Sequence, residues 1–302
     1  GMVSEPLNKP AAAADAAAPA DPAAADVPLE ARHAPELLSL LGAELGCAPS
    51  DIMDFELSLF DTQPAQVWGL ADEFLSAPRL DNQIHCFAAL KALLERAAAA
   101  PPTASDVSMI ALFDHEEVGS ESFSGAGSPV MGEALQRISS CFAPDAPHAA
   151  AEALLVSTRR SFLLSADVAH AVHPNYAEKH HPTHAPKLNS GVVIKTNDNQ
   201  RYATNAEGGF LVRELARRAG LAVQEFMVRN DCPCGTTIGP IIASKTGLRV
   251  VDLGVPSLSM HSIRETVGVT DIDTSVRLFS TFLASFPELD AQCAFACKPC
   301  TA

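Results

Sequence analysis

The sequence predicts an α/β fold with a mixed, mainly parallel sheet and helices on both faces. Three observations predict it. Short, largely apolar runs such as VSMIALF (107–113), SFLLSA (161–166), VQEFMVR (223–229) and LRVVDLGV (248–255) suit buried strands. Stretches with helical spacing of apolar residues lie between them, so strand and helix alternate. The chain of 302 residues is long enough to bury a core as one large domain or two modest ones.

Taken in order, residues 1–28 are expected to be a disordered leader. Ala, Pro and Asp dominate positions 8–28, and repeated prolines forbid a continuous helix. Leu29 to Leu45 has leucines three and four apart and reads as helix. Asp51 to Leu70 reads as one or two strands, with FELSLF alternating, DTQP turning and AQVWGL resuming. After Pro78 the α/β texture begins. Asn82 is placed to cap a helix whose apolar face is Ile84, Phe87, Leu90, Leu93 and Leu94. Asn205 to Gly220 reads as an amphipathic helix, with Phe210, Leu211, Leu215 and Ala219 inward and Arg213, Arg217 and Arg218 outward. SVRLFSTFLASF (275–286) closes the fold, and residues 290–302 are expected to be a loose tail.

Charge narrows the function. The balance of 21 basic against 36 acidic residues, net −15, argues against a nucleic-acid partner. No apolar run reaches the ~20 residues of a transmembrane helix. With no signal-peptide pattern, the eight cysteines are expected as thiols in a cytoplasmic protein.

Four stations carry the chemistry: Asp81, the pair Glu116-Glu117, Asp167 and His261, each at or near the end of an apolar run. Adjacent carboxylates at a strand end point in different directions, so one can bind a metal while its neighbour faces water. That division suits metal-assisted hydrolysis with a general base. Carboxylate and imidazole donors in open coordination suit Zn²⁺, with Mn²⁺ or Co²⁺ as substitutes. The plainer alternatives are a solvated acidic loop for the Glu pair, an N-cap for Asp81 and an ordinary hydrogen-bonded histidine for His261. Small residues at 124–128 point instead to a tightly packed loop beside the pair. The histidines at 170, 173, 180, 181 and 184 do not match a zincin motif. Cys293, Cys297 and Cys300 lack a fourth ligand nearby for a structural zinc site.

SAPRLDN, FDHEEVGS, SADVAHAVHPNY, QRYATNA, RNDCPCGTTIGPI and SLSMHSIRE occur in this order. Together they resemble the aspartyl aminopeptidases, dinuclear zinc exopeptidases that remove N-terminal Asp or Glu from peptides. The resemblance implies a three-layer α/β/α peptidase domain interrupted by a dimerisation domain, in subunits that assemble as dodecamers. It implies that Asp81 bridges two zinc ions, Glu116 is the general base, and Glu117 and His261 complete the first site. Asp167 would serve the second. Lys195 would pair with the acidic side chain of the substrate, and His170 and Tyr202 would line the pocket.

On this reading residues 29–70 are the remnant of the dimerisation domain and 71–289 the later part of the peptidase domain. The family's second-zinc histidine belongs to an opening motif that this sequence does not show. His33 does not match it, and His85, one helical turn past Asp81, is not excluded by spacing. The first zinc site is therefore expected to be intact and the second weakened. The alternative function is a shortened, inactive relative that keeps the fold and one metal site.

Overall fold

The computed structural model describes residues 29–99 and 106–293, so the expected leader, Cys297 and Cys300 lie outside the described residues. The chain divides into two compact units, Gly1–Leu59 and Phe60–Ala302.

In the first unit the leucine spacing produces helices α1 (Leu29–Arg32) and α2 (Pro35–Leu45). Pro35 opens α2, where its missing N–H costs nothing, and Gly46 closes it in the left-handed conformation at φ 70°. Leu29, Leu38 and Ile52 form a small core, with Leu41 and Phe55 against it. FELSLF, expected as a strand, forms none. Alternation makes a strand only where a neighbour takes up its ladder of hydrogen bonds.

The second unit runs β1 (Gln66–Trp68), β2 (Phe74–Ala77), α3 (Leu80–Ala99), α4 (Val130–Cys141), α5 (Ala149–Arg160), β3 (Phe162–Ala166), β4 (Ala169–His170) and β5 (Val192–Thr196). It continues with α6 (Ala206–Arg218), β6 (Val223–Met227), α7 (Ile238–Thr246), β7 (Arg249–Gly254), β8 (Pro256–Leu258), β9 (Glu265–Gly268) and α8 (Val269–Gln292). One sheet has the order β3-β7-β5-β6. Its β3–β7 and β5–β6 pairs are parallel and β5–β7 antiparallel, so the sheet is mixed and mainly parallel, as expected. A second sheet, β1-β2-β9-β8-β4, is antiparallel except where β4 meets β8. Sequence periodicity did not separate this sheet, because strands of two to four residues carry little of it.

Three layers result. On one face of the mixed sheet, Ala88 and Ala92 of α3, Val212 and Ala216 of α6, and Val276 and Phe279 of α8 pack on Ile194, Val251 and Leu253. On the other face, Met131 of α4 and Ile242 of α7 pack on Val250. The period-two pleat of β7 thus feeds Val250 to one layer and Val251 and Leu253 to the other.

Several expectations need correction. The buried face of α3 is Ile84, His85, Ala88 and Ala92, while Phe87, Leu90 and Leu94 are exposed. Small alanines, rather than leucines, face the α6 and α8 layer. In α6, Val212 and Ala216 join Leu211 and Leu215 inside, and Phe210 is exposed. VSMIALF forms no strand, although Met109 and Phe113 pack against the α4–α7 layer. The closing helix passes Asp290 and ends at Gln292, because Asp290 is held by Arg249 at 2.7 and 2.8 Å and Leu289 is buried. No helix of the described residues is long and apolar enough to cross a membrane.

Candidate metal centre

Asp81 follows β2 at the mouth of α3, with φ −82° and ψ 112°, so it stands outside the helix proper and its side chain is free to turn into the site. Glu116 and Glu117 lie on a single 3₁₀ turn (Glu116–Val118) rather than at a strand end. On such a turn successive side chains are rotated about the helix axis rather than alternating as on a strand. His115, at φ 59°, starts this turn. The turn is backed by the expected tight loop: Gly127 N–H donates to the Ser120 carbonyl at 2.9 Å, and a Cβ on Gly125 would collide with that same carbonyl. Asp167 lies between β3 and β4, and His261 in the β8–β9 connection at φ 63°.

The structure brings three of these together. His261 Nε2 lies 3.3 Å from Asp81 Oδ2 and 3.2 Å from Glu117 Oε2. One ligand atom from each of Asp81, Glu117 and His261 falls within 4.8 Å of the other two. The Asp81 side chain is 5 % exposed, against 54 % for Glu117 and 62 % for His261, so the cluster has a buried floor and an open mouth.

Its electrostatics are those of crowded negative charge. Burial, then the charges of Asp167, Glu117 and Glu265, pushes the Asp81 carboxyl up to about 9. Half-buried Glu116 is raised to about 7, first by burial and then by Asp167 and Glu117, against the opposing charges of Lys195 and His261. A divalent cation would relieve both groups. The fit to zinc is also stereochemical: Asp81 Oδ1 is buried without a hydrogen-bond partner, and two carboxylates plus one imidazole leave room for an open coordination position.

Asp167 stands beside Asp81, close enough for their carboxyls to share a hydrogen bond, and it also faces a cation. Lys195, 1 % exposed, donates to Asp167 Oδ2 at 2.8 Å and to the Val168 carbonyl at 3.0 Å. This ammonium holds the Asp167 carboxyl below its usual range against the opposing effect of burial. Lys195 is therefore inside the fold, not on an open wall. Its Nζ sits 5.0 Å from the Tyr202 ring, and Tyr202 and His170 line a cavity of about 530 Å³ with Phe226, Lys179 and Cys234. Buried Asp252 accepts from Ala203 N at 2.5 Å, next to Tyr202 in the chain, and from Thr237 Oγ1 at 2.6 Å.

His85 is not available as a ligand. Its Nε2 accepts from Val255 N–H at 3.0 Å, which leaves Nδ1–H to donate to Asn82 Oδ1 at 2.6 Å. Burial lowers its pKa from 6.5 to about 4. The folded state then binds fewer protons than the unfolded state in that window, so stability falls as pH drops from 6.5 through 4, by about 3 kcal/mol. Urea unfolding at pH 7 and pH 4.5 should show His85→Gln losing less stability on acidification than the unaltered chain; equal losses would contradict this.

Sequence reasoning missed Glu265. It is 2 % exposed and accepts from Asp81 N–H and His261 N–H, each at 2.7 Å. Its place four residues past His261 in MHSIRE was the only signal, and nothing in that spacing distinguishes it from a surface glutamate.

Comparison with known proteins identifies the family. The family model described as aminopeptidase I zinc metalloprotease (M18) matches residues 9–283. A relative from Ricinus communis described as a probable aspartyl aminopeptidase is 51 % identical over 263 residues, which is 86 % of this chain and 52 % of that protein. The aspartyl aminopeptidase of Dictyostelium discoideum is 46 % identical over 261 residues, covering 86 % and 54 % of the two chains. Among solved structures, the Ape4–Nbr1 complex superposes with a TM-score of 0.78 at 43 % identity, over 86 % of this chain and 50 % of its counterpart. An mApe1 dodecamer from S. cerevisiae gives 0.77 at 35 % identity, over 89 % and 59 %. The chain spans about half the length of the curated relatives it matches. It belongs to the M18 family of aminopeptidase I zinc metalloproteases.

Proposed function

We propose that the chain carries the catalytic centre of a zinc aminopeptidase that releases N-terminal Asp or Glu from peptides. The observation that carries this reading is the convergence of Asp81, Glu117 and His261 with Glu116 on the adjoining position of the same turn. These three side chains would hold a zinc ion, which would supply Lewis-acid polarisation and a lowered pKa for water. Glu116, raised toward neutrality, accepts the proton of the attacking water and returns it to the departing amine. Lys195 uses two of its three donors on Asp167 and Val168; the third, closed off at 1 % exposure, would reach an acidic substrate side chain only once the packing at Tyr202 opens. His170 and Tyr202 line the approach.

The test is release of product from an Asp-blocked fluorogenic amide by the zinc-loaded chain, with Asp81→Ala as control. Activity on neutral amides exceeding that on Asp amides would refute the acidic specificity. Activity surviving in Asp81→Ala would refute the site.

A second metal ion is less well provided for. Asp167 already has a cation in Lys195, and His85 has both ring nitrogens engaged. Elemental analysis after dialysis is expected to find one tightly held zinc per chain; two would overturn this stoichiometry. Assembly into homo-oligomers, as in the mApe1 dodecamer, is proposed on family grounds and is checked by light scattering.

A further inference from the structure

We infer that Glu265 is a positioning residue that sets Asp81 and His261 at the spacing a single metal ion requires. This rests on the proposed reading of those two residues as zinc ligands. Neither comes from a regular element that would fix it. Asp81 lies in a non-helical break at the start of α3, two residues after Arg79 at φ 57°. His261 lies in a connection where Ser259 and His261 both take positive φ, 59° and 63°, which non-glycine residues adopt only when held there.

Glu265 supplies the hold from both sides at once. Its Oε2 accepts from Asp81 N–H and its Oε1 from His261 N–H, each at 2.7 Å. Its own backbone is anchored in β9, paired with Ala77 at the end of β2, four residues before Asp81. The same strand pair therefore fixes both the start of the Asp81 segment and the clamp upon it.

The choice of a carboxylate is informative. Glu265 is 2 % exposed, and its negative charge bears on Asp81, which already faces Asp167 and Glu117. A buried charge in that company is unfavourable unless something requires it. Two backbone donors converging from separate loops require two acceptors on one side chain. Glutamate offers both, whereas glutamine would turn an NH₂ toward one of the N–H groups. The outer partners of a metal site orient its ligands, and their loss weakens metal binding 10–100-fold.

The experiment compares the full chain with Glu265→Gln and Glu265→Ala. Zinc affinity is measured by chelator competition and ligand geometry by the visible spectrum of the Co²⁺-substituted protein. The zinc dissociation constant is expected to rise about tenfold in E265Q and about a hundredfold in E265A, with a changed cobalt spectrum. Asp271→Asn is the stability control: Asp271 Oδ1 and Oδ2 accept from Gly191 N–H and Asn189 N–H, so this variant loses buried hydrogen bonding away from the metal ligands. It should lower Tm without moving zinc affinity or the spectrum.

Zinc affinity within twofold of the unaltered chain and an unchanged spectrum in E265Q would overturn the inference. So would parallel losses in D271N. Zinc retained by Asp81→Ala would instead overturn the underlying ligand assignment. Should the Glu265 variants fail to fold, hydrogen exchange in the unaltered chain decides: the Asp81 and His261 amides are expected to be strongly protected without zinc, and free exchange at either refutes the clamp.

Discussion

Glu116→Gln is expected to lower turnover of an Asp-blocked amide by about 10²- to 10⁴-fold, the usual contribution of a positioned general base. Zinc content and Tm should be unchanged, because Glu116 is not among the three clustered donors and the turn's own bond, Gly119 N–H to the Glu116 carbonyl, is a backbone bond that the substitution keeps. The carboxylate is the working form. Burial and the charges of Asp167 and Glu117 raise its pKa to about 7, so kcat/KM should fall as pH drops through that region. A bound cation favours the carboxylate, which places the acid limb at or below pH 7. Steady-state rates between pH 5 and 9 check this. A variant that keeps a tenth of the activity would remove Glu116 from its proposed role.

Lys195→Met should have the largest effect on stability. The ammonium is 1 % exposed and bound to Asp167 Oδ2 and the Val168 carbonyl. Removing it strands the Asp167 carboxylate inside the fold, and breaking a buried pair on one side costs about 3–5 kcal/mol. Denaturant unfolding of the metal-free protein measures that loss. Added zinc should recover part of it, since a cation at the neighbouring cluster offsets the unpaired negative charge. Activity on the Asp amide should fall more than activity on a neutral amide if Lys195 also reads the substrate. Equal falls would leave it a purely structural pair.

The Lys195 result shows where sequence reading reaches its limit. The family resemblance pointed to Lys195 and implied a carboxylate partner, that of the substrate. It could not show that the nearest carboxylate is the protein's own Asp167, because that depends on β5 lying beside β7 and on the turn after β3. The same holds for α3. Its leucine stripe indicated a helix, yet the buried face is Ile84, His85, Ala88 and Ala92, because close packing favours small residues that no periodicity count rewards. Glu116 and Glu117 were read as a diverging pair at a strand end, whereas they lie on one 3₁₀ turn, which is too short to show a period.

By itself the sequence determined the family, the alternation of strand and helix, and the residue types at the centre: two carboxylates, an imidazole and an adjacent glutamate. These follow from local chemistry, which spacing and motif preserve. Only the tertiary structure decided which of them meet. Asp81, Glu117 and His261 come from positions far apart in the chain, and the approach of Asp81 to His261 depends on β2 pairing with β9. It also depends on the buried carboxylate of Glu265 accepting from two backbone amides, a contact set by the register of two short strands and by no periodic pattern along the chain.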